Sequence, residues 1–103
     1  MSSLQLTPAA RRDIDEVYEY IARRDRHPLT ADKIVAELQA ACQLYADSLA
    51  SDFVIGTARP DLGDSFRAFT HKRWVVIFRP IDDGIEVMRV IDGSRDLTRI
   101  FAD

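Results

Sequence analysis

The sequence predicts an α+β fold in the order β-α-α-β-β-β, with an antiparallel sheet covered on one face by an antiparallel helix pair. Three observations predict it. The first half holds two long stretches with apolar residues at helical spacing. The last third turns to strand character, with an unbroken apolar run from Trp74 to Phe78 and an Asp83-Gly84 turn signal. The chain has 103 residues, 47% of them hydrophobic, which is the length of one domain spanning 1–103.

Each element follows from its residues. Leu4 and Leu6 flank Gln5 and give a short first strand over Ser3 to Thr7. Thr7-Pro8 starts a helix, because Thr caps free amides and Pro loses nothing at the first helical position. Ala10, Ile14, Val17, Tyr18 and Ile21 recur on one side, while Arg12, Asp13, Glu16, Glu19 and Arg23 fill the other. The helix therefore runs from Pro8 to Arg24. A polar connector through Pro28 leads to Thr30, which caps a second helix. Its stripe is Ile34, Leu38, Ala41, Tyr45 and Leu49, with Val35 and Cys42 beside it. A short connector between amphipathic helices packs them antiparallel. Residues 51–64, with Gly56, Pro60 and Gly63, read as an irregular loop. Ser65 to Thr70 alternates in part, and His71-Lys72-Arg73 is a turn. Trp74 to Arg79 is the central strand, 80–84 a turn, and Ile85 to Ile91 the partner strand. Arg95 to Ala102 makes a last helical turn.

Composition excludes several classes. One cysteine, Cys42, excludes a disulfide scaffold. The longest apolar run, Trp74 to Phe78, is far short of the roughly 20 residues of a membrane span. The N-terminus lacks a basic region followed by an apolar one, so no signal peptide is expected and the expected location is the cytoplasm. Net charge is -3, so a strongly basic nucleic-acid binder is excluded. Twelve of the fourteen basic residues are Arg, a planar fork suited to carboxylates and phosphates, though codon usage gives the same bias.

Residues with chemistry are few. His27 and His71 have no second ligand at metal spacing, so no metal site is assigned. Cys42 has no adjacent base to form a thiolate. The acidic residues of the first helix read as solubilising charge. No phosphate-cradling Gly loop, GxSxG or HExxH is present, so no catalytic residue or cofactor is assigned. The arginines remain. Arg67, Arg79 and Arg89 fall on three consecutive strands, and alternation allows them to share the face opposite the helices. Arg95 and Arg99 follow the last strand. Such a cluster would bind a phosphate or an acidic surface; the alternative is exposed charge partly paired with Glu86 and Asp83. Trp74 is either an anchor for a base or a partner, or a core residue.

These residues resemble the RelE/ParE toxin superfamily of bacterial toxin–antitoxin modules, and within it the ParE branch. The matching stretches are Leu6 to Ala10 with Asp13-Ile14, Tyr18 to Ala22, Ala58 to Gly63, and Phe66 to Phe69. The strongest runs from Arg73 to Arg79, through Asp83 to Val87, to Arg89 through Leu97. The coverage is nearly the whole chain, in order.

The resemblance implies the toxin of a type II, plasmid-stabilisation-type module, neutralised by a ParD-like antitoxin. ParE-like toxins are associated with DNA gyrase, whereas RelE-like relatives cut mRNA on the ribosome; fold does not decide between them. Cleavage by the RelE branch uses lysines and arginines with a C-terminal tyrosine. Aligned without gaps from the Asp82 turn, its two lysines fall on Phe66 and Ala68, its strand arginine on Val75 and its tyrosine on Phe101. Only its C-terminal arginine survives, as Arg95. The expectation is a gyrase-binding inhibitor without cleavage chemistry, with no membrane partner and with sequence-specific nucleic-acid binding only through the antitoxin. Its target- or antitoxin-binding candidates are Arg67, Arg79, Arg89, Arg95, Arg99 and Trp74. A RelE-like endoribonuclease and a decayed, non-toxic family member are the alternatives.

Overall fold

Thr7 shows how the first third is built. Its Oγ1 accepts from the Ala10 amide at 3.0 Å and donates to the Met88 carbonyl at 2.8 Å. One side chain thus caps a helix and ties it to the last strand. A computed structural model describes residues 2–51 and 55–102. The elements are β1 (Ser3–Leu6), α1 (Pro8–Asp25), α2 (Pro28–Ala50), β2 (Thr57–Ala58), β3 (Arg67–His71), β4 (Trp74–Ile81), β5 (Gly84–Asp92) and α3 (Leu97–Ile100).

The expected order of elements is present, and the α+β class holds. Three details differ. The sheet is mixed rather than antiparallel: its order is β1-β5-β4-β3-β2, and β1 runs parallel to β5, pairing Ser3 with Gly84 and Leu6 with Val87. Two helices and three strands separate them in the chain, so the parallel pairing comes from a long connection and not from a tight turn. Gly84 is what permits the approach, since a Cβ there would collide with the Ser3 backbone. Second, α2 begins at Pro28, with His27 in the capping position and no side-chain cap, so Thr30 lies inside the first turn. Proline at the first helical position starts the helix early. Third, the segment read as irregular contributes β2, which pairs Thr57 with Ala68 and Ala58 with Arg67. Of that loop, 52–54 lie outside the described residues.

The helices α1 and α2 pack on one face of the sheet. Ile14, Val17, Ile21, Leu38, Cys42 and Ala46 meet Phe69, Trp74, Val76, Phe78, Ile85, Val87 and Val90 there. Tyr45 stacks on Phe69 with ring centroids 3.9 Å apart. The far face carries a second, smaller cluster. Leu62, Ala68, Ile77 and Ile91 are buried in it, and Phe66, Val75, Met88, Leu97, Ile100 and Phe101 are partly buried around them. Both faces of β4 are therefore covered. That is why it reads as a continuous apolar run and not as an alternation.

Candidate functional site

The short length of β1 creates the site. Its pairing with β5 stops at Leu6 and Val87. Beyond that point a carboxylate from α1 takes over. Asp13 accepts from the Val90 amide at 2.9 Å, from Arg89 Nε at 2.7 Å and from Arg89 Nη2 at 3.0 Å. Among the described residues it is the one buried charged side chain, 6% exposed. Its carboxylate raises the Arg89 pKa, chiefly through the side-chain hydrogen bond. Asp13 was expected on the solvated side of α1. Its position, three residues after Ala10 and four before Val17, is in fact the edge of the apolar stripe.

Past this pair, α1 and the end of β5 enclose a cleft of about 260 Å³. Glu16 and Tyr20 form one side, Trp74 and Val90 the floor, and Asp92 and Arg95 the other side. Arg73 ties three of the lining residues together. Its guanidinium donates to Tyr20 Oη at 2.7 Å and to Asp92, and lies over the Tyr20 and Trp74 rings at 4.9 and 5.4 Å. Trp74 meets Tyr20 edge-on at 5.8 Å. Asp92 also accepts from the Ser94 amide at 2.9 Å. That bond, with Arg73 behind it, holds the Asp92 carboxyl below its ordinary range.

The expected arginines do not gather on one face. Arg67 pairs with Phe78, so by register it shares the helix-side row. It donates to the carbonyls of Ile55 and Gly56. Arg79 is bound to Glu86 at 2.7 Å. Arg89 is taken by Asp13 across a bulge: Phe78 opposes Val87 while Ile77 opposes Arg89, leaving Met88 as the extra residue. The shared-face expectation fails because plain alternation foresees neither the register of β3 nor the bulge. Arg95 and Arg99 are different. Both are exposed, and among the described residues neither has an ion-pair partner. They flank a surface depression with Asp96 and Ile100. The Asp96 carboxylate caps α3, accepting from Thr98 Oγ1 at 2.7 Å and the Arg99 amide at 3.3 Å. Trp74 is 6% exposed and packs in the main core while one edge lines the cleft.

The far face is apolar at the four positions aligned with the cleavage set. Phe66, Ala68, Val75 and Phe101 all belong to its apolar cluster, and Phe66 meets Phe101 edge-on at 5.7 Å. No cation stands at those four positions. Cys42 is buried, and burial pushes its thiol up to about 11, which keeps it in the protonated form at neutral pH. His71 Nε2 lies 3.5 Å from Glu37. Among the described residues, no group of three metal-ligating side chains exists.

Comparison with known families places this architecture. A family model described as "ParE toxin of type II toxin-antitoxin system, parDE" matches residues 4–97. The chain belongs to the ParE toxin family. It is also similar to a solved structure titled "Chromosomal ParDE TA system from P. aeruginosa", with a TM-score of 0.71 and 22% identity over 89% of this chain and 96% of that one. That likeness shows the same fold. A comparison with curated proteins found no match. In this ParE-family toxin, the matched residues run from Leu4 in β1 through the whole of β5 and stop at Leu97, the first residue of α3. Among the described residues no helix is long and apolar enough to cross a membrane.

Proposed function

We propose that this single ParE-like domain is a toxin that inhibits DNA gyrase by binding it, and that a ParD-like antitoxin neutralises it in the cytoplasm. The observation that carries the reading is the apolar far face. Phe66, Ala68, Val75 and Phe101 stand where the resemblance places the lysines, arginine and tyrosine of RNA-cleaving relatives. Without donors or acids at those four positions, Arg95 alone of that set is left to stabilise charge developing at a scissile phosphate. Arg95 and Arg99 are the target contacts this reading favours. The sheet arginines Arg67, Arg79 and Arg89 already hold internal partners, and a guanidinium must be released before it serves another carboxylate or phosphate.

The test is supercoiling of relaxed plasmid by gyrase with purified toxin added. Inhibition, relieved by the antitoxin and lost at least tenfold in Arg95→Ala/Arg99→Ala, is the expected result. Unimpaired supercoiling at large molar excess, together with cut mRNA after induced expression, would overturn it in favour of a ribosome-dependent nuclease.

A further inference from the structure

The edge of β5 beyond β1 is only half used. Gly93 donates its amide to the Arg73 carbonyl, so by alternation the backbone groups of Val90 and Asp92 point away from β4, toward the cleft. Asp13 takes the Val90 amide, and the Arg95 amide takes the Asp92 carbonyl. Among the described residues, nothing takes the Val90 carbonyl or the Asp92 amide. One acceptor and one donor thus remain, two residues apart, in line with the lane that β1 occupies. Unpaired edge groups of this kind pair readily with an added strand.

We propose that this cleft docks an extended segment of a partner protein, which continues the lane of β1 by donating to the Val90 carbonyl and accepting from the Asp92 amide. The side walls fix its chemistry. Successive side chains of an extended segment point to opposite sides. One would meet Arg95, exposed and without an ion-pair partner, and the next would meet Glu16, also exposed. The segment therefore carries an acidic residue adjacent to a basic or neutral one, over a floor of Val17, Trp74 and Val90. Arg73 holds Tyr20 and Asp92, two of the cleft's lining residues, in place. The bulge at Met88 and the Asp13 plug keep the edge too short for open-ended pairing between copies.

This inference rests on the proposed antitoxin as the partner that brings the segment. The experiment is amide hydrogen exchange, resolved by residue, on the free toxin and on its complex with the cognate antitoxin. The expected result is strong slowing at the Asp92 amide in the complex. Arg95→Glu should weaken the complex at least tenfold, and the thermal melt of the free variant should stay unchanged. A stable complex in which Asp92 exchanges as fast as in the free toxin would overturn the strand-docking site and leave the antitoxin reading intact. Failure to form any complex would overturn both.

Discussion

The two faces of the sheet are built from the same strands and held to different standards. On the helix side, α1 and α2 supply 18 and 23 residues of cover, and Val76, Phe78, Ile85 and Val87 have no exposure at all. On the far side, a four-residue helix and a few loop side chains cover a cluster whose rim of Phe66, Val75, Met88, Leu97, Ile100 and Phe101 stays partly open. The difference teaches that apolar content does not measure burial. The run from Trp74 to Phe78 serves both faces in turn, and even the thinly covered far face buries Ile77 completely.

Neighbouring valines break or keep that comparison. Val76 lies in the sealed core and Val75 on the open rim. Val76→Asp puts an unpaired carboxylate where nothing compensates it, and the expected result is loss of the folded state. Val75→Asp should cost about 1–3 kcal/mol, because its carboxylate can reach water. Circular dichroism melts of both variants check the pair, and equal losses would erase the distinction between the faces.

The joint between α1 and the sheet ranks next. Removing the acceptor with Asp13→Ala strands the Val90 amide and the partly buried Arg89, whose side chain is 29% exposed. The expected cost is about 2–4 kcal/mol, below that of a fully buried pair because Arg89 keeps some water. Asp13→Asn retains an acceptor for Val90 and should lose about half as much. Urea unfolding of the two variants measures the difference, and a neutral Asp13→Ala would show that the pair contributes nothing.

Most of the fold was legible because it follows from periodicity. The stripe from Ala10 to Ile21 placed α1 to within a residue of its end, and the apolar run of β4 placed the centre of the sheet. What stayed hidden depends on long-range geometry. Leu4 and Leu6 announced a strand but not its parallel partner 81 residues on, since alternation says nothing of direction. Asp13 reads with the polar side of α1 because its charge hides its place at the edge of the apolar stripe, and its partner Arg89 lies 76 residues away and behind a bulge that no local pattern marks. The same blindness explains the arginines. Their spacing showed a set of permanent cations, and only the folded chain sorts those with internal partners from Arg95 and Arg99. Gly84 carried a usable signal, because an Asp-Gly turn followed at once by a strand hints at close backbone approach.

The smallest effect lies at the rim of the cleft and is read with pH. The Ser94 amide, and then Arg73, hold the Asp92 carboxyl below its ordinary range. Its folded pKa is therefore below its unfolded value of about 3.9, and the unfolded chain binds the proton first. The stabilisation is fully present above that unfolded value and is lost as pH falls through the folded one. Because the site is open to solvent, it is worth less than about 1 kcal/mol. Asp92→Asn should accordingly lower the melting temperature slightly at pH 7 and converge with the parent as pH falls through the folded pKa of Asp92. Melts across pH 2–7 test this, and parallel curves for the two proteins would mean that the Arg73–Asp92 pair adds nothing to the fold.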